Sequence, residues 1–282
     1  MDELEQYRPL LFGIAYRMLG SAMEAEDMVQ ETLLRYSQLP SDQIHTPKAY
    51  LSKMITHLCL DHLKSARSQR EMYFGTWLPE PLLTPSESNT VELESLSMAF
   101  LVLLEKLTPT ERAVFLLHEV FDYTYAEIAD ILGREQADCR QLLHRAKGHI
   151  SAERPRFTPS RNEQDAITAR FMEVSINGDL QEFVDLLAED VTLWSDGGGK
   201  AKAAVHPLVG REPVAKFFLG LQKRAPAGSS VEYRFINARP AFVLRQDGVI
   251  EGVFVLEMAD GRIRAIHSIR NPDKLRYLAS QA

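Results

Sequence analysis

The amino-acid sequence predicts a multidomain chain in which two all-α segments, the second with a helix-turn-helix, precede an α+β domain. Three observations lead to this prediction. Up to about residue 152, apolar residues recur every three or four positions, which is typical of amphipathic helices. Between Tyr123 and Ala146, two such helices flank Gly133, in the arrangement of a helix-turn-helix. Beyond about residue 160, alternating segments and Asp-Gly pairs indicate strands joined by tight turns.

Length and composition indicate a globular protein of two or three domains. The chain has 282 residues, of which 45% are hydrophobic and 25% charged, as is usual for this class. No apolar run reaches about eighteen residues, the length of a membrane span, and the acidic N-terminus lacks the features of a signal peptide. We therefore expect no membrane partner and a cytoplasmic location. Cys59 and Cys139 lie in separate helical patterns without a CxxC motif, so neither a disulfide nor a metal site is predicted.

The distribution of charge is more informative than the net charge of −7. A net negative charge argues against a protein that binds DNA unaided, because phosphate contacts require clustered Lys and Arg. Residues 71–95 contain five Glu and no Lys or Arg, whereas residues 134–156 carry six Lys or Arg against three acidic residues. An acidic connector thus precedes a basic helical segment, which fits a protein whose DNA affinity comes partly from a larger partner.

The first helical segment contains three predicted helices. The apolar face of the first helix consists of Leu4, Tyr7, Leu11, Ile14 and Met18. Gly20 and Ser21 end this helix, and Ser21 with Glu24 forms a predicted capping box for the next. The second and third helices are predicted at residues 25–36 and 47–63.

The predicted helix-turn-helix has an inner and an outer face. In its first helix, Ile128, Ala129 and Ile131 point inward, and Gly133 supplies the turn. The inner face of the second helix carries Cys139, Leu142, Leu143 and Ala146, and its outer face carries Gln136, Arg140, Gln141, His144, Arg145 and Lys147. Arg, Gln and His can reach base edges in the major groove and Lys suits a phosphate, so this face predicts DNA binding. The alternative is an ordinary helical hairpin with a solvated polar face.

The C-terminal segment is predicted to be α+β. Helical patterns at residues 163–188 precede strands at 191–196, 231–237, 241–245, 249–258 and 262–270, and a helix at 212–224 interrupts the strands. Asp247-Gly248 and Asp260-Gly261 are predicted hairpin turns. We expect a curved antiparallel sheet closed by helices.

These motifs together resemble those of extracytoplasmic-function sigma factors. AEDMVQETLLRY (residues 25–36) is similar to the core-polymerase-binding region 2.2 of that family. AYLSKMITHLCLDHLKSARSQRE (49–71) is similar to regions 2.3 and 2.4, which melt the −10 element. TPTERAVFLLHEVF (108–121) resembles region 4.1, and the helix ending in HRAK (144–147) resembles region 4.2, which reads the −35 element. The resemblance implies a sigma factor that directs core RNA polymerase to promoters and is not an enzyme.

The resemblance also implies roles for individual residues. Those implied to bind core polymerase are Asp27, Gln30 and Glu31, and those implied to contact promoter DNA near −10 are Tyr50, His57, Lys64 and Arg67. Family members usually have Asn where His57 stands, which leaves open the base captured there. The helical spacing of Tyr50 equally permits core packing. Without the resemblance, Asp27 and Glu31 would be interpreted as a solvated helix face.

The linker and the C-terminal segment resemble the group of these sigma factors that carries a fused SnoaL-like domain of the NTF2-like superfamily. WLPEP (77–81), DGGGK (196–200) and NPDKL (271–275) match that group, which implies that the fused domain acts as a built-in regulator. The residues implied to form the interdomain regulatory contact are Trp77, Leu78, Pro79, Glu80, Pro81, Asp196, Gly197, Gly198, Gly199, Lys200, Asn271, Pro272, Asp273, Lys274 and Leu275. Trp77 and Leu78 are costly to leave in water, which favours a docked linker over an inert tether.

The predicted domains are a sigma region 2 domain at residues 1–72, an acidic linker at 73–95, a sigma region 4 domain at 96–156 and a SnoaL-like domain at 160–282. The expected partners are core RNA polymerase and promoter DNA, with no cofactor and no metal.

Two other functions are left open. The chain could be a helix-turn-helix regulator that works without polymerase and senses a small ligand in its cone. It could also be an enzyme that uses Asp196 or His267 as a base in the apolar cone. That cone could enclose Phe171, Trp194, Tyr233, Phe242 and His267, but strand alternation favours a core or rim position for His267.

Overall fold

The computed structural model describes residues 2–39, 46–85, 94–151, 161–177 and 180–281. Contacts divide these residues into two compact units. The first contains the residues up to 72 with 94–96 and 100–151, and the second contains 73–85, 97–99 and 161–281. Residues 73–85, from the predicted linker, therefore belong to the same unit as the C-terminal segment. Within the described residues, no helix combines the length and the apolar character needed to cross a membrane.

The helices before residue 152 are α1 (Asp2–Glu5), α2 (Arg8–Leu19), α3 (Ala22–Ser37), α4 (Pro47–Glu71), α5 (Met98–Leu104), α6 (Pro109–Glu119), α7 (Tyr125–Leu132) and α8 (Gln136–Ser151). The first predicted helix is split into α1 and α2, because Pro9 lies in the first turn of α2, where its missing N–H costs no bond. Gly20 ends α2 in the left-handed conformation. The Ser21 hydroxyl caps α3 by accepting from the Glu24 N–H at 3.1 Å.

The helix-turn-helix forms as predicted. The Thr124 hydroxyl and the Glu127 carboxylate cap the start of α7 reciprocally, and Gly133 ends it with a φ of 62°. Ile128 and Ile131 are buried and Ala129 is half-buried. These features place α8 at a fixed angle to α7 with its polar side outward.

The two helical segments pack together within the first unit. Helix α2 contacts α6, and α4 contacts α7. The buried Arg112 guanidinium donates to the Met18 carbonyl at 2.6 Å and pairs with Glu105 at 2.7 Å. Because a buried guanidinium is stable only with such partners, Arg112 fixes the start of α6 against the end of α2.

The second unit consists of helices around one sheet. Its remaining helices are α9 (Arg161–Asn177), α10 (Leu180–Leu186), α11 (Arg211–Lys223) and α12 (Pro272–Gln281). Its strands are β1 (Leu187–Asp196), β2 (Leu208–Val209), β3 (Ser229–Ile236), β4 (Arg239–Gln246), β5 (Val249–Ala259) and β6 (Arg262–Ile269), in the order β2-β1-β6-β5-β4-β3. The α+β fold class is as predicted. The sequence did not indicate β2 or α12.

The expectation of a fully antiparallel sheet is wrong, because β1 pairs with β6 in parallel. Strands β3 to β6 are joined by short turns and are therefore antiparallel. The chain between β1 and β3 is long and contains α11, so β1 is free to pair in parallel. Asp247-Gly248 and Asp260-Gly261 form the predicted hairpins. All four residues have positive φ, as a type I′ turn requires.

Phenylalanine rings fill the concave side of the sheet. Phe171 on α9 packs against Phe183, Phe218 and Phe242 with ring centroids 5.1, 5.2 and 5.3 Å apart. Trp194 and His267, which the cone could have enclosed, are instead on the opposite face, where His267 is buried as the favoured core position predicts. Their neighbours Leu193 and Ile266 belong to the core, and side chains alternate along a strand.

Candidate nucleic-acid interface and linker-docking site

The outer face of α8 is exposed as the sequence predicts. Cys139, Leu142, Leu143 and Ala146 are buried, and Gln136, Arg140, Gln141, His144, Arg145 and Lys147 are exposed. The periodicity of an amphipathic helix explains both sets. The result is a continuous strip of hydrogen-bond donors and positive charge that no described residue covers.

Two basic residues of this strip are paired with carboxylates of α6. Lys147 Nζ lies 2.8 Å from Glu119, and Arg145 Nε lies 3.5 Å from Glu111. Both cations are at least half exposed, and such surface pairs are worth about 0–1 kcal/mol. A phosphate can therefore replace either carboxylate at little cost.

The residues of α4 predicted to contact DNA have different environments. Lys64 is exposed and paired with Asp61 at 2.8 Å. Tyr50 is 39% exposed, and its ring lies edge-on to Tyr36 with centroids 6.0 Å apart. Arg67 lies on α4, but its side chain is outside the described part of the chain, as are residues 40–45 of the loop before this helix.

His57 is turned toward the helix-turn-helix. Its Nε2 lies 2.7 Å from the carbonyl oxygen of Ile131, in the last turn of α7. One turn before it, the Lys53 ammonium lies 3.6 Å from Asp130. The Ser52 hydroxyl is 2.6 Å from the Tyr123 hydroxyl in the same contact. Helix α4 therefore packs on α7 through the buried Ser52, and His57 is exposed but bonded through Nε2 to the end of α7. Sequence periodicity alone could not show this contact.

Helix α3 presents a mixed acidic and apolar face. Asp27 and Gln30 are exposed, and Glu31 is half-buried with its carboxylate 2.6 Å from Arg35. Met23 and Leu34 are 43% and 55% exposed. Met23, Asp27, Gln30 and Leu34 follow helical spacing and share one side of α3, which makes this side a candidate docking surface.

The predicted linker is held on the C-terminal unit by the buried carboxylate of Asp196. Asp196 accepts hydrogen bonds from the Tyr73 hydroxyl at 2.5 Å and the Leu78 N–H at 2.8 Å. Lys274 Nζ lies 2.6 Å from the same carboxylate and also donates to the Leu78 carbonyl. Burial, and then the nearby Asp196 carboxylate, raise the pKa of the Tyr73 hydroxyl, which keeps it protonated as a donor.

Aromatic rings enclose the ammonium group of Lys274. Lys274 Nζ lies 4.1 Å from the centroid of the Trp77 ring and 4.9 Å from that of Tyr73, distances at which a cation is attracted to the ring face. Leu78 is fully buried beside them. The WLPEP, DGGGK and NPDKL motifs thus meet at one place, although they are far apart in sequence.

The glycines of the DGGGK motif allow this close approach. A Cβ atom at Gly198 would lie 2.2 Å from Asn271 Nδ2, and the backbone there has a φ of 57°. Asn271 in turn donates to the Tyr73 hydroxyl at 2.9 Å. Lys200 pairs with Asp273 at the exposed rim of the site.

A second anchor, which the sequence did not indicate, holds residues 82–84. The N–H of Leu82 donates to Asn237 Oδ1 at 2.9 Å, and the N–H of Asn237 donates to the Leu82 carbonyl at 2.8 Å. The Thr84 N–H donates to the Phe235 carbonyl at 3.0 Å, and the Thr84 hydroxyl accepts from the Ala238 N–H at 2.9 Å. The linker therefore extends the free edge of β3 by a short antiparallel bridge.

The two candidate catalytic residues have structural environments. The Asp196 carboxylate is occupied by Tyr73 and Leu78 of the linker and by Lys274 of α12. His267 is 3% exposed and stacks on Trp194, with ring centroids 5.3 Å apart. Burial lowers the pKa of His267, so its imidazole is neutral near pH 7. The two side chains lie on the face of the sheet opposite the phenylalanine-filled cone.

Both cysteines, Cys59 and Cys139, are buried and free.

Comparisons with known proteins agree on one family. Residues 4–69 match the family model for Sigma-70 region 2, and residues 97–150 match that for Sigma-70, region 4. The chain is 35% identical to the ECF RNA polymerase sigma factor SigJ of Mycobacterium tuberculosis, over 97% of this chain and 92% of that protein. It is 30% identical to the probable ECF sigma factor SigI of the same species, over 98% and 94%. The crystal structure of Mycobacterium tuberculosis SigJ superimposes with a TM-score of 0.79 and 32% identity, covering 98% of both chains.

Replacing Asp196 by Asn should release the linker. The Asn side chain keeps the shape but leaves the Lys274 ammonium buried without a counter-charge, a change that typically costs about 3–5 kcal/mol. We expect lower stability in urea unfolding and, in a Trp194→Phe background, greater quenching of Trp77 fluorescence by acrylamide. Asp273→Asn, which removes the exposed ion pairs of Asp273 with Lys200 and Arg276, is the control and should change stability by less than about 1 kcal/mol. Equal Trp77 quenching in wild type and Asp196→Asn would contradict the assignment.

Proposed function

The chain belongs to the extracytoplasmic-function family of RNA polymerase sigma factors, and from this premise we propose that α8 reads a −35 element, that α4 opens a −10 element, and that docking of the linker on the C-terminal domain restrains both. Proteins of this family are initiation factors and not enzymes. Their partners are core RNA polymerase and promoter DNA. The observation that carries the proposal is the exposed strip of Arg, Gln and His on α8, set on a correctly formed helix-turn-helix.

The proposed −35 contact follows from the chemistry of the strip. An Arg fork can bind guanine O6 and N7, and a Gln can bind adenine N6 and N7, in the major groove. Arg140, Gln141 and His144 occupy the centre of the exposed face, where a docked helix approaches base edges most closely. Lys147 and Arg145 lie toward the end of the strip and would exchange their carboxylate partners for phosphates.

The proposed −10 contact requires α4 to leave α7. The His57 side chain stands where the family usually has Asn, and its Nε2 is engaged by the Ile131 carbonyl. A base that leaves the stack needs a free pocket and costs about a few kcal/mol to extrude. We infer that the His57 imidazole becomes free to bond a flipped base only after its contact with the Ile131 carbonyl opens, whereas Tyr50 is already partly exposed.

The proposed regulation rests on the two linker anchors. Residues 72–97 join α4 to α5, and docking holds residues 73–85 of this span on the C-terminal domain. A fully extended chain reaches about 3.3–3.6 Å per residue. Docking of residues 73–85 therefore shortens the distance by which this segment can separate α4 from α5. Initiation requires the two promoter-reading domains to separate on polymerase, and the docked state therefore opposes it.

A ligand-sensing regulator that works without polymerase gains no support from the described residues, because phenylalanine rings occupy the cone. A small ligand there and a cytoplasmic location stay predictions.

Removing the proposed −35 contacts should abolish promoter-specific initiation. In the double variant Arg140→Ala with His144→Ala, each lost base contact should cost about 1–3 kcal/mol, while binding to core polymerase stays unchanged. Run-off transcription with core polymerase on candidate promoters measures the first effect, and a pull-down titration measures the second. Arg170→Ala, an exposed Arg outside the strip, is the control. Full activity of the double variant on every promoter that needs its −35 element would refute the role of α8.

Charge reversal on α3 should weaken binding to core polymerase. Asp27 and Glu31 are on the surface of α3, so Asp27→Lys with Glu31→Lys should leave the helix intact but repel a basic docking site on polymerase. The matched control is Glu189→Lys with Glu251→Lys, which changes the net charge equally on the C-terminal domain. Affinities that fall to the same extent in both double variants would show that only net charge matters.

Deleting residues 271–282 should raise promoter activity. The deletion removes Asn271 and Lys274, which together with Asp196 hold the linker. Deletion of residues 280–282 alone keeps these contacts and serves as the control. Run-off transcription by the longer deletion at or below the wild-type level, while acrylamide quenching shows that Trp77 has become exposed, would contradict the restraining role.

A further inference from the structure

Arg140 rests on an aromatic ring of the neighbouring helix. Its guanidinium carbon lies 5.1 Å from the centroid of the Tyr125 ring. Tyr125 is the first residue of α7 and is half-buried, and the imidazole of His118 packs on the same ring with centroids 4.6 Å apart. The ring is therefore fixed by α6 and α7 before any DNA binds.

This support differs from that of the other basic residues on α8. The charged nitrogens of Lys147 and Arg145 are paired with Glu119 and Glu111. Lys147 and Arg145 must therefore give up a carboxylate partner before they bind a phosphate. A ring contacts the flat face of a guanidinium and leaves the N–H groups at its edge free. The same N–H groups form the fork that recognises a guanine edge.

Prior orientation also lowers the cost of recognition. An exposed Arg samples many rotamers, and binding to a base fixes them at an entropic cost. A side chain already held in a suitable orientation loses less freedom when it binds. The Tyr125 ring therefore favours a base contact by Arg140 without occupying its donors, and the exposed bond from Arg140 Nη2 to Gln136 Oε1 is long, at 3.5 Å.

We propose that Tyr125 is a positioning residue that presents Arg140 to one base pair of the −35 element. The inference rests on the proposed role of α8 and adds a determinant of specificity on α7. It depends on the ring of Tyr125 and not on its hydroxyl. Tyr125→Phe should accordingly preserve base discrimination, whereas Tyr125→Leu should reduce it.

The test uses the full chain bound to core polymerase and a set of promoters with single substitutions across the −35 element. Arg140→Ala first identifies the base pair whose preference depends on Arg140. At that pair, Tyr125→Leu should reduce discrimination roughly two- to fivefold, the range expected for an exposed cation–π contact. Preferences at the other pairs should stay unchanged, and Tyr125→Phe should match wild type.

A double variant separates positioning from a general effect on folding. In the Arg140→Ala background, Tyr125→Leu should cause no further loss of discrimination, because its effect acts through Arg140. The inference is overturned if Tyr125→Leu keeps full discrimination, if it weakens all base pairs equally, or if Tyr125→Phe loses as much as Tyr125→Leu. If Arg140→Ala itself changes no base preference, the proposed role of Arg140 fails, and the role of Tyr125 fails with it.

Discussion

The buried carboxylate of Asp196 is the interaction on which the docked linker depends. Because Asp196 is 0% exposed, water cannot solvate its charge, and the Tyr73 hydroxyl, the Leu78 N–H and the Lys274 ammonium must do so. Removing one partner from a buried pair typically costs about 3–5 kcal/mol. A linker that left only in part would leave the Asp196 carboxylate buried without the Tyr73 or the Leu78 donor. Docking at this site is therefore close to all-or-none.

Under the proposed regulation, the chain has two states, with the linker docked or released. Polymerase can shift such an equilibrium only by its difference in affinity for the two states, and a shift from 1:99 to 99:1 requires about 5.5 kcal/mol. In the proposed function, the bond of His57 Nε2 to the Ile131 carbonyl is a second restraint, because it engages a side chain that would contact a flipped base. Both restraints would be released when the promoter-reading domains separate.

The local features of the structure could be predicted from the sequence better than the contacts between distant residues. Helical periodicity gave the buried and exposed faces of α8, and the Asp-Gly pairs gave both hairpins, because these features depend on local chemistry. The parallel pairing of β1 with β6 was missed, since alternation does not report strand direction. Tyr73 and Asn237 were also missed. Neither belongs to a recognisable motif, and their roles come from contacts between residues more than a hundred positions apart. The three motifs named by the resemblance meet at the docking site, but the sequence does not show the hydrogen bonds that join them.

A reversible covalent lock tests most directly whether the docked linker opposes initiation. A Cβ atom at Gly199 would lie 3.6 Å from the Cβ of Phe74, which is within the range of a disulfide, so Phe74→Cys with Gly199→Cys can tie the start of the linker to the C-terminal domain. The φ of 70° at Gly199 strains any side chain there, and the Gly199→Cys single variant controls for this strain. The native Cys59 and Cys139 are buried and should not interfere. The measurement is run-off transcription by the oxidised and the reduced double variant, with each single variant as a control. The account predicts low activity when the disulfide is formed and recovery on reduction, and equal activity in both states would contradict it.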